Sequence, residues 1–278
     1  MKKIIMLGFI ILLLISVIVL VIRNQPVPES SVAIGDSDWP QLQHDANRTG
    51  RSNFALIQPF TTKWRWMNGS KWNGGSIPQK MDIEIPVLSQ PIAGDGKIYV
   101  GSYQNHIYAI NESTGETSWK FTTNVPVLHT GGYKDQKVYF GSSDGFFYAI
   151  NTTNGSLAWK YETGSIYSAP IILSNKVCIG SKTNYYYCFN PNDANNDKVG
   201  DLIFRYNAEA PIYNSSVANA DASKVYFMPE SMIPTCLNLN TTNQNGEKCS
   251  GWNAQPVFGQ SAFHYWPVIV QDKIIFTF

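Results

Sequence analysis

Charge is in short supply in this sequence. Only 15% of its 278 residues are charged, 21 Lys and Arg against 20 Asp and Glu, for a net charge of +1. So balanced a chain has no electrostatic footprint for nucleic acid, and no nucleic-acid partner is expected. Histidine is scarcer still: His44, His106, His129 and His264 stand singly, and each reads as structural. No HExxH, serine elbow or phosphate loop occurs, and no GxGxxG follows a strand and opens a helix. The four cysteines form no CxxC and no His sits at ligand spacing, which argues against zinc. Beyond the first two dozen residues no sustained run carries apolar residues at i, i+3, i+4 and i+7, so the chain reads as all-β.

Aromatic residues are plentiful, with 15 Tyr, 14 Phe and 8 Trp, and they suit half-buried or buried strands. The one long apolar run lies at the front. Lys2 and Lys3 precede Ile4–Ile22, and Arg23 closes it. As a helix the run would be about 28 Å long, close to the hydrocarbon thickness of a bilayer. It exceeds the apolar region of a cleaved signal peptide, and the nearest small-x-small site, Ser31-Val32-Ala33, lies well beyond it. Residues 1–23 are therefore expected to be an uncleaved signal-anchor, a single-pass transmembrane helix with the bulk of the chain on the extracytoplasmic side of the cell membrane. Cleavage and secretion is the alternative. Residues 24–38 read as a linker.

The rest repeats. KIYVGSYQNHIYAINESTGETSWKF from Lys97 returns as KVYFGSSDGFFYAINTTNGSLAWKY from Lys137, a shift of 40. A third copy starts at Lys176, a fourth core at Lys224 and a fifth at Lys273. A strand-only period of this size predicts a β-propeller of four-stranded antiparallel blades. The expected blades are 85–122, 125–162, 166–207 and 211–254, with a fifth begun at 262–278, all within a domain at 39–278. In the first blade the strands fall near Val87–Ala93, Lys97–Ser102, His106–Asn111 and Thr117–Phe121. The second and third are apolar almost throughout, which means cover on both faces, as stacked blades provide. Gly101, Gly141 and Gly180 share one repeat position, where a small residue lets adjacent sheets approach. Trp119 and Trp159 share another and are expected to fill the gap between blades.

The segments Ala-Ile-Asn-x-x-(Thr/Asn)-Gly-x-x-x-Trp at 109–119 and 149–159 resemble the repeat of pyrroloquinoline-quinone (PQQ)-type propellers. That family includes quinoprotein alcohol dehydrogenases and the BamB-type outer-membrane assembly lipoprotein. Asp38-Trp39-Pro40-Gln41, His44-Asp45 and Arg48-Thr49-Gly50 are similar to the segment that precedes the family's first blade. The resemblance runs from about Asp38 to the end and weakens after Asn190. Where the family usually has Asp, this chain has Asn111 and Asn151; both residue types cap the following turn. The resemblance implies seven or eight blades. Lys63-Trp64-Arg65-Trp66 matches the fourth-strand pattern but precedes the first complete blade, and the chain stops at Phe278 after a second strand. It is therefore expected to lack blades at its C-terminal end.

Repeat alignment sets Cys178 opposite Cys188 across one hairpin and Cys236 opposite Cys249 across the next, giving two expected disulfides in an extracytoplasmic setting. The loop 192–201 carries Asp193, Asn195 and Asp197 at alternate positions, with Asp201 beyond, like the start of a calcium loop. Lys198 replaces the usual glycine, and Phe204 the usual terminal Glu, so a solvated polar turn competes with calcium. Seven Asn-x-Ser/Thr sequons occur, at Asn47, Asn68, Asn111, Asn151, Asn154, Asn214 and Asn240, compatible with surface glycosylation. The vicinal Cys-Cys pair common in PQQ-dependent dehydrogenases is missing, which argues against PQQ as a cofactor. The resulting expectation is a membrane-anchored, non-catalytic binding or scaffold module with a protein, peptide or glycan partner. The alternatives are a PQQ- and calcium-dependent dehydrogenase, or the ligand-sensing ectodomain of a longer receptor.

Overall fold

The computed structural model describes residues 38–48, 62–67, 70–71, 83–256, 267–270 and 273–276. The expected signal-anchor and all but the last residue of the linker lie outside these, as do Asn68 and His264. Among the described residues no helix is long and apolar enough to cross a membrane.

The described residues form strands throughout. A short hairpin comes first, Trp66–Met67 (β1) on Ser70–Lys71 (β2). The first blade follows as Ile92–Gly94 (β3), Lys97–Gly101 (β4), His106–Asn111 (β5) and Thr117–Thr122 (β6), paired antiparallel in chain order. The second is Gly132–Lys134 (β7), Lys137–Gly141 (β8), Phe146–Asn151 (β9) and Leu157–Glu162 (β10). The third is Ile171–Ile172 (β11), Val177–Gly180 (β12), Tyr185–Phe189 (β13) and Leu202–Asn207 (β14). A three-stranded sheet of Val217–Ala218 (β15), Lys224–Phe227 (β16) and Thr235–Asn238 (β17) follows, then the hairpin Val268–Val270 (β18) with Lys273–Ile275 (β19). First strands of successive sheets meet, β3 with β7 and β7 with β11. They are therefore the inner strands of neighbouring blades.

Two expectations need correction. The first strand of the first blade is shorter than Val87–Ala93, because Pro86 and Pro91 cannot donate to a ladder and pairing begins only at Ile92. The fourth blade has three strands instead of four among the described residues. Only Leu237 and Lys248 bridge where a fourth strand was expected. Trp252 N–H bonds back to Cys249 O, and Gly251, at φ 74°, takes the left-handed conformation that ends the extension.

Burial explains the apolar runs. In β5 and β9 the four central residues are buried while both ends are half-exposed: neighbouring blades cover both faces of β9, whereas β5 has the second blade on one face and Trp64 and Trp66 on the other. The turns between second and third strands put Asn105, Gly145 and Asn184 at positive φ, residue types that tolerate that region best.

The joints between blades repeat. In the first three blades the glycine ending the second strand abuts a β-branched side chain of the next blade: Gly101 meets Val127, Gly141 meets Ile166 and Gly180 meets Ile212. A methyl group at any of these glycines would collide. Beside each contact the next blade's N–H reaches back, from Val127 to Ser102 O (3.1 Å), Ile166 to Ser142 O (3.2 Å) and Ile212 to Ser181 O (3.0 Å). Val87 holds the same position in the first blade and is 93% exposed.

Candidate functional site: a strap across the inner strands

Residues 38–48 cross the inner strands of four blades in turn. Trp39 exchanges two backbone hydrogen bonds with Ala93, and Tyr133 N–H donates to Pro40 O. The Gln41 carboxamide pairs with the Ile172 backbone, Nε2 donating to its carbonyl (3.1 Å) and Oε1 accepting its N–H (3.0 Å). Ala218 N–H donates to Ala46 O. The strap ends at Arg48, which is 3% exposed. Its guanidinium donates to three backbone carbonyls, Leu42 (2.7 Å), Pro170 (3.2 Å) and Ser216 (3.0 Å). Burial pulls the Arg48 pKa down to about 10, since a charge out of water is costly unless its donors are satisfied. Gln43, His44 and Arg48 all have positive φ, a local cost of about 1–3 kcal/mol each that persists only where surrounding contacts enforce it.

Hydroxyls in the segments just ahead of the inner strands link neighbouring blades. Thr130 Oγ1 accepts from Gln90 N–H of the preceding blade and donates to Leu88 O, and Ser215 Oγ accepts from Ala169 N–H. One residue earlier in each repeat stand four buried polar side chains, Ser89, His129, Ser168 and Asn214. Ser168 donates to Gly180 O, whereas Ser89 Oγ and Asn214 Oδ1 have no hydrogen-bond partner among the described residues. Sequence reading passed over this row. The available signal was a polar residue two places after Val87, Val127, Ile166 and Ile212.

The tryptophans occupy equivalent places. Trp119 Nε1 donates to Thr152 O (2.8 Å) and its ring lies on Gly155; Trp159 Nε1 donates to Pro191 O (3.2 Å) and lies on Gly200. Trp64 does the same on the first blade, with Glu112 O (2.8 Å) and Gly115. Phe204 takes this role on Gly246 but has no N–H to donate.

Both disulfides are formed. Cys178 and Cys188 are directly paired across β12 and β13, with a Cα separation of 4.1 Å, and Cys236 joins Cys249 at 5.5 Å. The loop after Asn190 turns its carboxylates on its own backbone. Asp193 accepts from Asp197 and Lys198 N–H, Asp197 from Val199 N–H, and Asp201 from Ala194 N–H, while the Asn195 amide donates to Asp197. Among the described residues no three His, Cys, Asp or Glu side chains converge as a metal site would require. The loop instead adds a rung to the outer edge of the second blade, with Lys160 N–H bonding to Lys198 O (3.0 Å) and Gly200 N–H to Lys160 O (3.2 Å). His106 is held below its usual pKa by partial burial, with Lys120 adding to the effect, and its Nδ1 hydrogen-bonds Thr122. Asn214 is buried, and Asn111 spends its Oδ1 on the Ser113 and Thr114 N–H groups.

The family model of the outer membrane protein assembly factor BamB matches residues 62–185. Among curated proteins, none matches the sequence. Of solved structures, BamB from Moraxella catarrhalis aligns at a TM-score of 0.53 and 14% identity, over 64% of this chain and 51% of that one. Quinohemoprotein alcohol dehydrogenase from Comamonas testosteroni aligns at 0.58 and 16%, over 76% and 40%. The quinohemoprotein alcohol dehydrogenase ADHIIG from Pseudomonas putida HK5 aligns at 0.56 and 15%, over 74% and 39%. The chain thus spans between 39% and 51% of the lengths of these structures, and at such identities the likeness concerns the fold. With its repeat, its four-stranded blades and these matches, the chain has the fold of the PQQ-like β-propeller proteins.

Proposed function

We propose that this chain is a non-catalytic scaffold, held at the membrane by its N-terminal apolar segment and offering its propeller loops to a protein partner outside the cytoplasm. The observation that carries this reading is the strap. Gln41 and Arg48 spend their side chains on inner-strand backbone groups, so the interior is committed to holding the blades together. The loops are then the surface left for recognition, which is where scaffolds usually carry it. Two disulfides suit an oxidising compartment, and the 19-residue run Ile4–Ile22 suits a span. The similarity to BamB, an assembly factor by its description, agrees with a role in holding other proteins.

The test is proximity labelling and crosslinking of the full chain in the membrane fraction of its source. A reproducible set of partners, lost when exposed loop residues are replaced but kept when Arg48 is intact, is the expected result. Turnover of alcohols or sugars by the chain after addition of PQQ and calcium would overturn the proposal.

A further inference from the structure

A polar groove of about 580 Å³ lies among the turns of the second, third and fourth blades. In a meander the turns joining strands one to two and three to four emerge at the same end of the blade. Lys134, Ser174–Lys176, Asn190–Asn192 and Leu239–Thr241 all belong to that set. The volume falls in the range of small-ligand sites.

Its hydrogen-bonding character is one-sided. Asn190 Oδ1 accepts the Asn192 N–H (3.0 Å), Asn175 Oδ1 accepts Lys176 Nζ (3.2 Å) and Asn192 Oδ1 accepts Lys137 Nζ (3.4 Å). These donors fix which end of each carboxamide is oxygen. The three amide nitrogens, which can only donate, make no hydrogen bond among the described residues. Thr241 Oγ1 already accepts the Asn243 N–H, which leaves its O–H to give. Lys134 and Lys176 add two ammonium groups, and the lining's only carboxylate, Asp135, is paired with Lys134 at 3.0 Å. The groove therefore has a surplus of donors and of positive charge. Part of its wall is apolar, from Pro191, Ile203 and Leu239.

We propose that this groove binds an acidic saccharide, a hydroxyl-rich ring carrying a carboxylate. The carboxylate answers Lys176, whose charge Asp135 does not offset, the ring and hydroxyl oxygens answer the amide donors, and the C–H face of the ring rests on the apolar wall. A lone phosphate would engage one corner and leave the other donors unmatched. The site does not depend on the scaffold reading, because a propeller with no protein partner would still bind the sugar.

The experiment is titration calorimetry on the full chain with oligogalacturonate, neutral glucose oligomers and inorganic phosphate as separate probes. Oligogalacturonate binding that weakens with added salt, with neutral oligomers at least tenfold weaker and phosphate a poor competitor, is the expected pattern. Asn190→Asp keeps the oxygen that receives Asn192 N–H, and so keeps the turn, but replaces an amide donor with a second anionic oxygen. It should reduce oligogalacturonate affinity at least tenfold with an unchanged melting temperature. Lys176→Gln should act in the same direction. No oligogalacturonate binding at millimolar concentration, equal binding of neutral oligomers, full displacement by equimolar phosphate, or an affinity unaffected by Asn190→Asp would each overturn the proposal.

Discussion

Arg48 is the residue on which the interior is most exacting. Its three carbonyl acceptors come from the strap itself, the start of the third blade and the start of the fourth. An Arg48→Met substitution removes the charge but leaves those carbonyls dry, and each buried acceptor without a donor costs about 1–3 kcal/mol. The variant should lose roughly 3 kcal/mol or more in urea titration, whereas Lys176→Gln, on the exposed groove, should change stability by less than about 0.5 kcal/mol. Buried tyrosines set the alkaline limit. Burial raises the pKa of Tyr139 and Tyr186 above that of a free phenol. The unfolded chain therefore releases these protons first as pH rises past about 10, and stability falls with pH from there. Arg48 opposes this, because its lowered pKa lets the native state shed a proton earlier than the unfolded chain. Tyr99, Tyr108, Tyr133, Tyr148, Tyr187 and Tyr226 are raised by burial as well, so against one guanidinium the net slope is downward. Thermal melts between pH 8 and 11 should show a plateau and then a decline.

Among the elements, the loop from Asn192 to Gly200 and the two disulfides act locally. The loop's rung on Lys160 covers part of the outer edge of β10, and an uncovered edge strand is a template for pairing with another chain. Replacing 193–199 by a short turn should give concentration-dependent self-association in size-exclusion chromatography. Because the loop's carboxylates are engaged by its own N–H groups, calcium up to millimolar concentration should leave the melting temperature of the intact chain unchanged. The Cys178–Cys188 bridge spans ten residues, and closing a loop of that size contributes about 2–3 kcal/mol in the chain-entropy account. A Cys178→Ala/Cys188→Ala double variant should lower the urea midpoint accordingly. The strands themselves were legible from the sequence: His106–Asn111 falls where the repeat puts it, because both faces of that strand are covered and its apolar run is continuous. That the fourth blade has only three strands among the described residues was not legible. Gly251 looks like any turn glycine until its backbone conformation and the Trp252-to-Cys249 bond are seen.

At the scale of the molecule, blades of a repeat protein couple chiefly to their neighbours, through the Gly101–Val127 type of joint. The strap adds a connection across four blades at once. The full chain should therefore unfold in one calorimetric transition. A variant lacking 38–48 should show a broadened or split transition, with the third and fourth blades, which lose Arg48, melting first. A single sharp transition in that variant would mean that the joints alone suffice.

The sequence by itself determined the repeat, the strand order within a blade, the glycine at the first three joints, the tryptophan on the first two outer strands and the cysteine pairing. All of these are local or periodic, because a strand's pattern records which of its faces is covered. Only the tertiary structure decided where Trp39–Arg48 lies, what Arg48 bonds to, and that Asp193 and Asp197 close on their own loop. It also decided that turns from three blades meet in one donor-rich groove. Those outcomes join residues more than a hundred positions apart, such as Gln41 and Ile172, or depend on which way a polar side chain turns. Neither leaves a period in the sequence, since a hydrogen bond to a backbone carbonyl specifies no partner residue type.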